Sequence, residues 1–320
     1  MIGLAEIKAA GQNITGFVHR TPLLSSQSIN NATGKKLWFK AECFQKTGSF
    51  KARGASNKIK ALASRNVSGV ITISSGNHGQ ATAYAAGQLG IPAVIMVPDG
   101  TPQPKIDAAR AYGAEVIIGG DLNNVEPLIE KAFALAVERK LEPIHPFEDP
   151  LIIAGQGTLG IEILDDLPDV DIVIVPVGGG GLLAGVAVAL KQSSPHIKVF
   201  GVGPVNASSM YTSYHSRNME TLHDMPQTLA DGLRVPMVSQ VTLEHALKYV
   251  DDIVTVTDEQ IVAAMKLAWS RLKVVVEPSG ASSLAAITAG RVPIPQGARV
   301  VCVFSGGNVD FKKVAGQLAT

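Results

Sequence analysis

Residues 172–190 read IVIVPVGGGGLLAGVAVAL, nineteen positions without a charged side chain. An apolar run of this length can cross a bilayer as a helix. Pro176 and the four glycines at 178–181 stand in its middle, however. In lipid they would leave backbone groups without hydrogen-bond partners. The stretch therefore reads as a buried strand, a turn and a buried helix.

The same pattern recurs on both sides of it. Short apolar runs predict strands at GVITISS (69–75), AVIMVP (93–98), EVIIGG (115–120), KVFGVG (198–203), DIVTV (252–256) and RVVCVFSG (299–306). Helical patterns lie between them, among them QATAYAAGQLG (80–90), PKIDAARAYG (104–113) and DEQIVAAMKLAWSRLK (258–273). Continuous apolar strands alternating with helices imply an α/β protein whose parallel sheets are covered on both faces. In such sheets ligands bind beyond the carboxyl ends of the strands. No repeat, low-complexity segment or linker divides the chain. The residues around Asn66 and the stretch PIHPFEDP (143–150) are the best crossing points between lobes.

The chain has 320 residues, enough for a sizeable core and for two lobes. Lys and Arg number 28 against 27 Asp and Glu, a near-balance that argues against a nucleic-acid partner. The N-terminal stretch MIGLAEIKAAGQNITG carries charges and no long apolar region, so it does not read as a signal peptide. Two cysteines, Cys43 and Cys302, cannot build a disulfide framework, and no Cys/His spacing suits a metal. These features point to a reducing, cytoplasmic setting with neither membrane nor nucleic-acid partners.

Four loops carry polar chemistry. PVGGGGLLAG (176–185) follows a strand and opens a helix, so its N–H groups can converge on an anion such as a phosphate. It lacks the Lys and Ser/Thr of an ATP-binding loop and the G-x-G-x-x-G of a dinucleotide site. By itself a tight turn serving close helix packing is about as good a reading. SSGNHGQ (74–80) offers hydroxyls, an amide, an imidazole and a helix start, suited to a carboxylate or phenolate oxygen. Alone, it reads better as an N-cap with a glycine turn. FSGGN (304–308) adds one hydroxyl, and FQKTGSFKARG (44–54) supplies cations after the apolar run LWFKAECF. Together these loops hold what pyridoxal phosphate requires: a lysine for a Schiff base, glycines for the phosphate, and polar groups around the ring. Residue types do not decide among Lys40, Lys46 and Lys51.

The segments SFKARGA, SSGNHGQA, AGQGT, PVGGGGLLAG, TLADG, VVEPSGA and SGGNVD follow one another in an order that resembles the fold-type II pyridoxal-phosphate enzymes. The likeness is to their serine racemase and serine/threonine dehydratase branch, and it runs almost end to end. It implies two lobes, each a mostly parallel twisted sheet flanked by helices. Residues 1–60 and 147–320 would form the large cofactor-binding domain and 61–146 the small one. By resemblance, Lys51 bears the cofactor and takes the substrate's α-proton, with Phe50 beside the ring. Gly178, Gly179, Gly180, Gly181 and Leu182 would hold the phosphate, Asn77 would face the phenolic oxygen, and Ser305 the pyridine nitrogen. Ser74, Ser75, Asn77 and His78 would receive the substrate.

The implied reaction is β-elimination of L-serine or L-threonine to a 2-oxo acid and ammonia, carried out by a homodimer. Ser75 stands where serine racemases of this branch carry a second acid/base, so amino-acid racemisation is an alternative. An ammonia-lyase for 3-hydroxyaspartate is another, with Arg234 of ADGLR as a receptor for the second carboxylate or, equally, a surface or phosphate-side cation. Arg53 is expected to be a structural or phosphate-side cation, and Lys46 a surface charge. In GPVNASS (203–209), Gly203 and Ser209 replace carboxylates that hold a divalent ion in related racemases, so no metal is expected. With SGGNVDFKKVAGQLAT as the last stretch read, the effector domain of biosynthetic threonine dehydratases is not expected.

Overall fold

The computed structural model describes residues 1–121, 126–223 and 227–318. Ten strands form two sheets. They are β1 (Leu23–Ser25), β2 (Lys36–Ala41), β3 (Val70–Ile73), β4 (Ala93–Val97), β5 (Glu115–Ile118), β6 (Glu142–Pro143), β7 (Ile172–Pro176), β8 (Lys198–Pro204), β9 (Asp252–Val256) and β10 (Arg299–Phe304). Six build one sheet in the order β1-β2-β10-β7-β8-β9, and four build the other in the order β5-β4-β3-β6. Every pairing is parallel except that of β1 with β2. Every strand of the smaller sheet lies between residues 70 and 143.

The opening stretch folds as expected into β7, a turn, and the helix Gly181–Ser193. Among the described residues no helix is long and apolar enough to cross a membrane. Alternation explains why β7 carries no charge. Ile172 and Ile174 enter a core with Phe39 and Phe304, while Val173 and Val175 enter another with Leu183 and Val186. Both faces are buried, and each such side chain is worth about 1.5–3 kcal/mol.

Glycines then let three helices approach closely. A Cβ on Gly185 would lie 2.4 Å from the Ile153 carbonyl oxygen, and one on Gly155 would lie 2.6 Å from the Gly54 Cα. The helix Pro150–Asp166 is thus pressed between the helix Lys51–Ala63 and the helix Gly181–Ser193. This packing brings the start of the lysine helix and the start of the glycine-loop helix to one place.

Three sheet members escape the sequence pattern, the third being the two-residue β6. β2 has Lys36 and Lys40 on either side of three apolar residues, so it does not look like a buried strand, and β1 is only three residues long. Lys40 is nonetheless fully buried, because its amine pairs with Glu162 at 2.8 Å and Asp166 at 3.1 Å. The predicted helix at 258–273 is α-helical over Asp258–Leu267 and continues as a π-helix over Ala268–Leu272. It ends at Lys273, whose φ of 61° is left-handed.

Candidate active site

The loops after β2, β3, β7 and β10 meet around a cavity of about 400 Å³. That volume lies within the range of ordinary small-molecule sites. Phe50, Lys51, Ser74, Ser75, Asn77 and His78 line one part of it. Gly178, Gly179, Gly180, Gly181, Leu182 and Ser305 line the rest. The residues singled out in the sequence therefore share one cleft.

Lys51 begins the helix Lys51–Ala63 and is half-buried in the cleft. Its Nζ donates to the Pro146 carbonyl at 2.7 Å and lies 5.2 Å from the centre of the Phe50 ring. No carboxylate pairs with it among the described residues, and loss of solvent pulls its pKa down to about 8. Its neighbour Arg53 differs: the guanidinium is buried and bound by Glu42 and Glu162. Arg53 is thus a structural cation. Lys40 belongs to the same paired network, and Lys46 is half-buried in a short turn outside the cavity wall.

The glycine quartet is closed to side chains. A Cβ on Gly179 would fall 2.3 Å from the Phe147 ring, and one on Gly180 would fall 2.4 Å from the Met210 methyl. Gly180 also has a φ of +92°, which L-residues rarely adopt. No side chain caps the helix that follows. Its first N–H groups, lacking helical partners, are left for an anion.

At the start of the helix Asn77–Gly87, Gly79 lets the chain turn against Ser74, since a Cβ there would lie 2.4 Å from the Ser74 carbonyl oxygen. His78 is buried, with Nε2 3.0 Å from the Ile144 carbonyl oxygen. Burial, aided by the Lys51 charge, lowers its pKa to about 3. The ring is therefore neutral and spends its N–H on Ile144, which leaves the backbone N–H of His78 as its donor to an anion in the cleft. Ser305 is buried at the end of β10, and its hydroxyl makes no hydrogen bond among the described residues.

Several cleft residues were not singled out from the sequence. Asn77 Nδ2 donates to Glu277 Oε1 at 2.8 Å, and Asn308 Nδ2 donates to Asn77 Oδ1 at 2.8 Å. Glu277 is buried, and burial, with Asp231 nearby, raises its pKa to about 8. The one signal in the sequence was a lone charge in VVEPSGA, directly before a proline that begins the helix Pro278–Thr288. Lys105 and Asp231, 3.2 Å apart, lie at the cleft. Arg234, named from the sequence, also lines it, with Nε and Nη2 buried and without a hydrogen-bond partner among the described residues.

The residues present fit pyridoxal phosphate. An amine without a counter-charge, a cradle that admits no Cβ and an unspent hydroxyl surround one space of suitable volume. Comparison with known proteins agrees. The family described as "Pyridoxal-phosphate dependent enzyme" matches residues 14–306. An L-threonine ammonia-lyase of Thermotoga maritima is 42% identical over 315 residues, covering 98% of this chain and 77% of that protein. The crystal structure of a T.th. threonine deaminase superposes with a TM-score of 0.90 at 43% identity, covering 97% of this chain and 99% of the other. Maize serine racemase gives a TM-score of 0.91 at 39% identity, covering 99% and 97%.

Proposed function

The chain belongs to the pyridoxal-phosphate dependent enzymes, and from that premise we propose that it is an ammonia-lyase. It eliminates water from a β-hydroxy amino acid such as L-serine or L-threonine, and hydrolysis of the resulting enamine takes that water up again, so that the net products are a 2-oxo acid and ammonia. The observation that carries this reading is the Lys51 amine, held without a carboxylate among the described residues, beside a glycine cradle that admits no side chain. When bound, pyridoxal phosphate supplies a conjugated ring that delocalises the electron pair left at the substrate's α-carbon.

Lys51 anchors the cofactor and, once freed, takes the α-proton. An amine whose pKa is about 8 is a competent base near neutral pH. The N–H groups at the start of the helix Asn77–Gly87 receive the substrate carboxylate, with Ser74 and Ser75 beside them. Asn77 offers an N–H to the phenolic oxygen. Ser305, which lines the cleft, would face the ring nitrogen with a hydroxyl and not a carboxylate, a partner that would leave that nitrogen largely neutral. The enamine so released hydrolyses in water to the 2-oxo acid and ammonia.

Two further outcomes are written into the same cleft. Ser75 supplies a hydroxyl, which supports racemisation as a second activity. Arg234, whose buried Nε and Nη2 lack a hydrogen-bond partner among the described residues, supports a substrate with a second carboxylate, such as 3-hydroxyaspartate. One assay separates these readings: incubation with L-serine, L-threonine and 3-hydroxyaspartate, measuring ammonia and product chirality together. Ammonia without D-isomer is the expected result. D-isomer without ammonia would make the protein a racemase, and neither product would leave a non-catalytic binder.

The reading includes a division into 1–60 with 147–320 and 61–146, supported by the smaller sheet lying wholly within the middle segment. It also includes a homodimer, which light scattering would test, and a reducing, cytoplasmic setting, in line with two unpaired cysteines.

A further inference from the structure

Asn77 is held at both ends of its amide. Its Nδ2 donates to Glu277 Oε1 at 2.8 Å, and its Oδ1 accepts from Asn308 Nδ2 at 2.8 Å. Asn308 Nδ2 spends its other hydrogen on the Thr47 carbonyl at 2.7 Å. The second oxygen of Glu277, Oε2, accepts the backbone N–H of Asn308 at 3.0 Å. A flipped Asn77 would set its NH₂ against the NH₂ of Asn308, donor against donor, so the orientation follows from the network. The carbonyl of Asn77 thereby faces Asn308, and one of its two N–H bonds is left over in the cleft.

Two glycines make room for this arrangement. A Cβ on Gly306 would lie 2.5 Å from Glu277 Oε1, and one on Gly48 would lie 2.4 Å from Asn308 Oδ1. Glu277 itself cannot be replaced by an amide without loss. Both of its oxygens face fixed donors, and a glutamine would set its NH₂ against one of them.

We propose that Glu277 and Asn308 are positioning residues that lock the Asn77 amide, so that its one free N–H is presented to the ring oxygen of the cofactor. The proposal rests on the function assigned above, and adds to it how the cleft sets the environment of the ring. Neither residue needs to touch the reacting atoms. The charged and titratable groups facing Glu277 are Asp231 and Lys105, which pair across the cleft, and Cys43.

The test is a double-mutant cycle on the holoenzyme with Asn77→Ala, Glu277→Gln and the double variant. The readouts are the absorbance maximum of bound pyridoxal phosphate and the amount retained on dialysis. Asn77→Ala is expected to shift the maximum and weaken retention about tenfold, the scale of one lost hydrogen bond to a charged group. Glu277→Gln should move both readouts in the same direction, and the double variant should go no further than Asn77→Ala alone. Asn308→Ala removes the other restraint and carries the same expectation should Glu277→Gln fail to fold. A Glu277→Gln (or, in its place, Asn308→Ala) spectrum and retention matching the wild type overturn the positioning role alone, as does full additivity in the double variant. A wild-type protein that takes up no chromophore overturns the function itself.

Discussion

Lys51 and Arg53 stand two residues apart at the start of one helix, yet their surroundings are opposite. Arg53 is saturated: Glu42 and Glu162 grip it at 2.7–2.9 Å, and Thr158 accepts from it at 3.2 Å. Lys51 has one carbonyl and no carboxylate. Withdrawing a cation from water costs several kcal/mol unless partners offset it. Arg53 is offset within the chain itself, and Lys51 is left for a ligand. The same division separates Lys40, fully paired, from Arg234, whose buried Nε and Nη2 have no hydrogen-bond partner among the described residues. A saturated cation marks architecture, and an unsaturated one marks the site.

Replacing Lys51 is the hardest blow to this contrast. Lys51→Ala should abolish the visible absorbance of bound cofactor and lower elimination by at least about a hundred- to ten-thousand-fold. Its urea midpoint should not fall, because no native ion pair is lost. Retained ammonia release would break the assignment. A finer version uses the wild type: cofactor uptake by the cofactor-free protein should quicken as pH rises through about 8, where the amine becomes neutral. A midpoint at the ordinary lysine value of 10.5 would show that the amine is not desolvated.

Arg53→Ala should do the reverse. It leaves Glu42 buried without its cation, and the expected loss is about 3–5 kcal/mol in urea unfolding. A near-neutral result would mean that the paired network does not hold the helix. Gly180→Ala should cost less, about 1–3 kcal/mol, because it strains a φ of +92° and crowds the Met210 methyl. Retention of cofactor should fall with it, and an unchanged melting curve would count against the tight cradle.

The smallest effect concerns Glu277. The folded protein keeps its proton up to about 8, whereas the carboxyl's ordinary value is 4.5. Between these values the folded state binds more protons, so stability falls as pH rises through the window. Glu277→Gln has no proton to lose and should flatten that slope, by about 1.4 kcal/mol per pH unit at most. Identical slopes would show that the carboxyl is not held protonated.

Much of this was legible in the chain. Strands buried on both faces announce themselves as uninterrupted β-branched runs, as at β7 and β10, and glycine loops at their ends point to the cleft. β2 was not legible, since Lys36 and Lys40 interrupt its pattern and the burial of Lys40 depends on Glu162 and Asp166, more than a hundred positions away. Glu277 was hidden for a similar reason: its partners, Asn77 and Asn308, come from other strand ends. The Lys51 assignment needed the family resemblance, because Lys40, Lys46 and Lys51 are the same residue type within twelve positions.

By itself the sequence determined the parallel α/β architecture and the order of the loops that reach the cleft, because period and glycine placement are local properties of a chain. Tertiary structure alone decided which charges are offset and which are left open. Solvation and ion pairing are set by what lies within a few ångströms in space, and residues that far apart in sequence carry no local trace of their meeting.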